Sequence, residues 1–190
     1  YQYIYDYFLE HFSSKIEMKM PLPMMNILNG GAHANNKLDF QEFMIQPVGF
    51  SSFKEGLICG VEVFNYLKKT LNQKGFSTAV GDEGGFAPGI DSAEEALDLI
   101  SSSIEAAGYK VDKDVTFALD CAATELLNNN EYVFSNNEKL SSDELIEYLA
   151  KLANEYPLTS IEDGLDENDW TGWENLTKKL GKKTQLVGDD

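Results

Sequence analysis

The chain has 190 residues, 43% of them hydrophobic and 25% charged, with a net charge of −17. This length and composition suit a globular domain with a substantial core, and the charge argues against nucleic acid or an anionic membrane as partner, because phosphate binding needs a basic face. All fifteen cations are lysine, so no arginine fork is available to clamp a phosphate or carboxylate.

Residues 1–15 read as an aromatic-rich helical lead-in. The longest uncharged run, Met20 to Asn36, is broken by Pro21, Pro23, Gly30 and Gly31 and is no membrane span. Within it, Met24 to Leu28 forms a short apolar stretch that leads into the loop "NGGAHANN". A second stretch, Phe40 to Val48, carries Gln41 and Glu42; on a strand, one of these points toward a site or core and its neighbour away. Two helices follow. The first opens with Ser52 and Glu55 in capping-box spacing, shows Leu57, Val61, Phe64, Leu67 and Leu71 on one face, and ends at Gly75. The second opens at Asp91 with Glu94, shows Leu97, Ile100 and Ile104, and stops at Gly108. Between them lies "STAVGDEGGFAP", where Asp82 and Glu83 sit inside a cage of glycines. Glycine is used where the backbone takes φ > 0 or comes very close to another group, so this turn reads as a built support for a carboxylate.

Then the chain alternates. "VTFALD" reads as a buried strand, followed by a helix from Ser142 to about Glu155; "LTSIED" is the next strand, followed by a helix around Trp173 to Leu180 and then "QLVGDD". Near-continuous apolar strands separated by helices imply parallel βα units with both sheet faces covered. "NNNEYVFSNNE" reads as a polar excursion, and Trp170, Trp173 and the methionines at 18, 20, 24 and 25 as packing. Cys59 and Cys121 are too few and too far apart for a disulfide framework or a zinc site, so reduced thiols are expected.

Each of the three later strands ends in acid: Asp120, then Glu162 with Asp163, then Asp189 with Asp190. The C-terminal strand ends of parallel α/β folds converge on the site. Carboxylates gathered there repel one another and gain affinity for protons, a conflict that a hard divalent cation such as Mg²⁺ removes. Acids after strands also cap the helices that follow, and Asp163 and Asp190 read as orienting or capping groups. Three first-position acids in phase make a metal site the stronger reading.

"MNILNGGAHANN", "DFQEFMIQPVG", "AVGDEGGFAP", "FALDCAATE", "SIEDGLDENDW" and "QLVGDD" together resemble the enolase family, in the same order and at similar spacing from about residue 18 onward. "IEDGLDENDW" resembles the bacterial branch. The resemblance implies an α/β fold, a partial TIM-like (β/α)8 barrel of two strands, two helices and then βα repeats, truncated at both ends. It divides the chain into a lead-in helix over 1–17 and the first, incomplete part of the enolase C-terminal barrel domain over 18–190. It implies Mg²⁺ held by Asp120, Glu162 and Asp189, with Glu83 as the acid that protonates a departing hydroxyl. Glu42 supports Glu83, His33 belongs to a mobile loop over the substrate, and Gln41 lies at the substrate's edge; Glu162 and Asp189 face it as well. The implied reaction is the reversible dehydration of 2-phosphoglycerate to phosphoenolpyruvate. In such sites a lysine base works with one or two Mg²⁺ ions.

No lysine here stands at a strand end, the family's phosphate-clamping arginine is absent, and a closed barrel usually takes roughly 250 residues. The chain therefore reads as a middle segment of a longer enzyme, inactive alone. The resemblance further implies a homo-oligomeric parent, dimer or larger, in the cytoplasm, with a cell-surface or secreted pool as in many bacterial enolases. The alternatives are a catalytically inactive chain acting as a binding or interaction protein, and another Mg²⁺-dependent acid-sugar dehydratase of the same superfamily.

Overall fold

A computed structural model of the protein describes residues 2–11, 20–81 and 83–189. The lead-in appears as α1 (Gln2–His11); Met18, Asp82 and Asp190 lie outside the described residues. The two early apolar stretches become β1 (Met25–Asn29) and β2 (Glu42–Gln46). The helical pair is α2 (Phe53–Lys74) and α3 (Ala93–Ala106). The later alternation is β3 (Thr116–Asp120), a polar excursion of short strands β4 (Leu127–Asn128), β5 (Glu131–Val133) and β6 (Lys139–Leu140), α4 (Ser142–Glu155), β7 (Leu158–Glu162), α5 (Trp170–Leu180) and β8 (Gln185–Val187).

Local chemistry sets the helix starts. The Ser52 hydroxyl accepts the Glu55 N–H at the head of α2, and Ser141 and Glu144 close a full capping box at α4. Two expected starts move. Ser92, rather than Asp91, caps α3 by accepting from the Glu95 N–H at 3.1 Å. Glu94 instead receives Lys151 at 3.0 Å and the Tyr148 hydroxyl at 2.9 Å, which ties α3 to α4. α5 begins three residues earlier than expected because Asp169 accepts the Gly172 N–H at 2.9 Å.

The inward face of α2 also differs from the expected stripe. Gly56, Cys59, Gly60, Val63, Leu67 and Leu71 are buried, whereas Leu57 and Val61 are about half exposed. The small residues decide this. Gly56 lies against Pro23 and Pro47, and a Cβ at Gly60 would run into the Met25 side chain. The helix seats itself on its glycines, and the larger residues one position on turn outward. Trp170, 80% exposed, and Met20, 72% exposed, likewise do not pack as expected. Trp173 does pack, and its indole N–H donates to the Asp166 carbonyl.

Five strands form one open sheet in the order β1-β2-β3-β7-β8. β1 and β2 are antiparallel, as are β2 and β3, while β3, β7 and β8 are parallel. Phe43 and Ile45 of β2, Phe117 and Leu119 of β3 and Ile161 of β7 are fully buried. They share one apolar cluster with Val63 and Leu67 of α2, Leu97 and Ile100 of α3, Leu149 of α4 and Leu176 of α5. Burying such a side chain contributes roughly 1.5–3 kcal/mol. Cys59 and Cys121 are free and buried. Among the described residues no helix is long and apolar enough to cross a membrane.

Because β2 runs against β3, its first residue meets the last residue of its neighbour. One row therefore crosses the sheet: Asn29 pairs with Glu42, Glu42 with Asp120, Asp120 with Glu162, and Glu162 with Val187. That row is the edge on which the acids gather.

Candidate active site

Glu162, Asp163 and Asp189 each offer a carboxylate oxygen within 4.8 Å of the others. Asp163 enters the group through backbone geometry: it takes a left-handed φ of 44°, and its Oδ1 accepts the Asp189 N–H at 3.0 Å. Asp120 stands beside Glu162 in register but outside this close group. Its Oδ1 accepts the Ala122 N–H at 3.0 Å and its Oδ2 the Gln41 amide at 3.1 Å. Two of the three expected ligands thus stand together, with Asp163 as third member and Asp120 held next to them.

The donor set is oxygen only, as a hard divalent cation requires. Among the described residues no ion pair reaches Glu162, Asp163 or Asp189. Burial, and then the charges of Asp120, Asp163, Asp189 and Glu42, push Glu162 from an ordinary 4.5 up to about 7. A divalent cation fits this arrangement because it replaces the proton as the compensating charge.

Across the row lies a second group. His33, Glu42 and Glu83 also bring one ligand atom each within 4.8 Å of the others. His33 ends a short 3-10 turn, Gly31–His33, and its Nδ1 stands 3.6 Å from Glu42 Oε1. Burial, and then the charges of Asp120 and Glu83, raise the proton affinity of Glu42, while His33 lowers it. Gln41 and Glu42 both reach the site, because β2 begins at Glu42 and the strand alternation does not extend to Gln41.

The turn carrying Glu83 is fastened to β1. The Phe86 N–H donates to Ile27 and the Asn29 N–H to Phe86, at 3.0 and 2.8 Å. A Cβ on Gly85 would stand 2.7 Å from the Leu28 nitrogen, and Gly84 takes φ 86°. Glycine is needed at the first for approach and at the second for conformation. The fully buried Asn29 donates through Nδ2 to the Gly85 carbonyl at 2.8 Å. Asn36 donates to the carbonyls of Asn29 and Pro88 at 3.0 and 2.9 Å. Neither asparagine stood out in the sequence. For Asn29 the available signal was an amide side chain directly before a glycine at a strand end, where it can bond the backbone of a neighbouring loop, whereas Asn36, followed by Lys37 in a loop, carried no such signal.

Acids presented at the C-terminal ends of β3, β7 and β8, with helices packed on the sheet, define an α/β protein of the barrel type whose functional groups stand at its strand ends. Within that class, residues 17–190 match the family described as Enolase, C-terminal TIM barrel domain, and the chain belongs to it. It is similar to the enolases of Legionella pneumophila strains Corby, Paris and Philadelphia 1, at 58% identity over 174 residues in each case. Those matches take in 91% of this chain and 41% of each relative, so the chain spans about two fifths of the length of these curated relatives.

Proposed function

We propose that this chain supplies the metal-holding and proton-donating side of an enolase site, in a parent enzyme that reversibly dehydrates 2-phosphoglycerate to phosphoenolpyruvate. The observation that carries the reading is the position of Glu42, in register with Asp120 on one side and within the His33–Glu83 group on the other. It joins an acid cluster suited to a cation with a carboxylate suited to deliver a proton.

On this reading Asp120, Glu162 and Asp189 hold Mg²⁺, with Asp163 orienting Asp189. When bound, Mg²⁺ supplies the positive charge that steadies negative charge developing on the substrate carboxylate. Gln41 positions Asp120 and borders the substrate. Glu83 donates its proton to the departing hydroxyl oxygen. Glu42, itself raised in proton affinity, keeps a proton available beside Glu83. His33 closes this side of the pocket against water. The same reading carries a cytoplasmic, homo-oligomeric parent enzyme.

Glu83→Gln in the parent enzyme tests the assignment, since glutamine keeps size and polarity but cannot supply the proton. Turnover is expected to fall about 10²- to 10⁴-fold, mainly in kcat. Exchange of the substrate α-proton with deuterated solvent should survive better, because another residue removes that proton. An unchanged kcat, or exchange lost as fully as turnover, removes Glu83 from the role of leaving-group acid.

A further inference from the structure

We infer that the cavity between α3, α4 and the polar excursion binds an aliphatic diamine, a small organic cation with a positive charge at each end of an apolar stem. The cavity has a volume of about 460 Å³, within the range of about 300–1,000 Å³ in which small-ligand sites fall. Its floor is aromatic. Phe40, buried just ahead of β2, Phe134 after β5 and Tyr148 of α4 meet one another with ring centroids 5.9 to 6.1 Å apart. Ala93 and Leu140 complete the apolar surface.

The rim is acidic. Asp39, Asp91, Glu94, Glu138 and Glu144 line the same cavity, against one lining cation, Lys151. Lys151 is bonded to Glu94 at 3.0 Å, and Lys37 stands 3.8 Å from Asp91. Among the described residues no ion pair reaches Asp39, Glu138 or Glu144. A cleft lined by one sign of charge concentrates ions of the other sign. An aromatic face attracts a cation that comes within about 6 Å of it. Rim and floor therefore select the same kind of ligand.

These acids do not make a metal site. Among the described residues, no three of them bring ligand atoms within 4.8 Å of one another. Asp39 accepts the Ser135 N–H at 2.6 Å, and Glu144 closes the capping box of α4. Charge spread around a rim suits a ligand whose own charges are spread, and the floor suits the methylenes between them. None of the lining residues belongs to either acid group at the strand ends, so the cavity stands independently of the roles proposed for those groups.

The test is calorimetry on the 190-residue chain with hexamethylenediamine, in millimolar Mg²⁺ to cover the strand-end acids. One saturable equivalent is expected, and no binding of hexanediol, which has the same stem without charge. That pair of titrations uses the unaltered chain and needs no variant to fold. Phe134→Leu removes a ring and no charge, and should weaken the diamine by about 2- to 5-fold, the loss of one cation–π contact. Asp91→Asn combined with Glu138→Gln should weaken it by about 2- to 30-fold, the loss of two exposed charge pairs. Glu105→Gln combined with Glu174→Gln removes as much charge outside the cavity and should change nothing. Nα-acetyl-lysine amide, which offers a single ammonium as a protein side chain would, should bind more weakly than the diamine. Uptake without saturation, equal binding of the diol, equal weakening by the two double variants, an unchanged affinity in Phe134→Leu, or the lysine amide bound as tightly as the diamine overturns the proposal.

Discussion

Glu162 stands on β7 in register with Asp120 of β3, and Asp163 holds the Asp189 N–H, so the acids on that side are set by strands and by one another. Glu83 stands on a glycine turn positioned by its bonds and close contacts to β1. The first region concentrates negative charge, and burial with neighbouring acids raises Glu162 to about 7. The second places a carboxylate at the solvent margin beside an imidazole. Groups that must share one cation come from rigid, registered elements, and the group that must gain and lose a proton comes from a loop pinned by backbone contacts.

The largest expected effect is on cation binding at the strand side. Glu162→Gln should weaken Mg²⁺ binding, followed by calorimetry, by more than about 100-fold, since changes outside the ligand shell alone cost about 10- to 100-fold. Affinity unchanged by that substitution removes the strand acids from the metal site and breaks the comparison. The same group sets a pH dependence. Glu162 keeps its proton in the folded chain up to about pH 7, against 4.5 for an ordinary glutamate. The folded state therefore binds more protons between those values. The stability this contributes is fully present below pH 4.5 and is lost as pH rises through about 7. Mg²⁺ should accordingly raise the unfolding temperature more at pH 8 than at pH 5; an equal rise at both values places the cation away from Glu162.

A smaller effect is expected at the loop side, in stability. A Cβ at Gly85 meets backbone atoms of Leu28 and Ile27 at 2.7 and 2.8 Å, and backbone cannot step aside as a side chain does. Gly85→Ala should cost about 1–3 kcal/mol in chemical denaturation. A variant as stable as the parent chain shows that the turn is free to move off β1. The mildest case is Asn36→Ala, which removes bonds to the carbonyls of Asn29 and Pro88. It should cost about 0.5–1.5 kcal/mol and should leave Mg²⁺ affinity at the strand acids unaltered. A matching fall in Mg²⁺ affinity ties the two regions into one unit.

Much of this was legible in the sequence. The order of strands and helices followed from apolar periodicity and capping residues, and the strand-end acids from their phase. The direction of β2 was not legible, because a period of two reads the same in either direction; yet that direction alone brings Glu42 to Asp120. The buried face of α2 was misread because large apolar residues outweigh glycines in a hydrophobic pattern, while close packing selects the glycines. Asp163 joined the acid group through a left-handed backbone that an aspartate seldom takes and that composition does not signal. The asparagine bonds behind the Glu83 turn link residues up to 56 positions apart, beyond the reach of any local pattern.

The row from Asn29 through Glu42 and Asp120 to Glu162 makes the chain unequally tolerant of changes in length. One residue inserted into β2 after Glu42 would turn Phe43 and Ile45 out of the apolar cluster and shift every partner along β3, with hardly any change in composition. The same insertion at Asn129 and Asn130, between β4 and β5, enlarges a surface turn whose closure entropy grows only slowly with length. Insertions and deletions introduced at random should survive at the exposed Asn129–Asn130 turn and fail in the strands, even where each added residue is one the strand already favours.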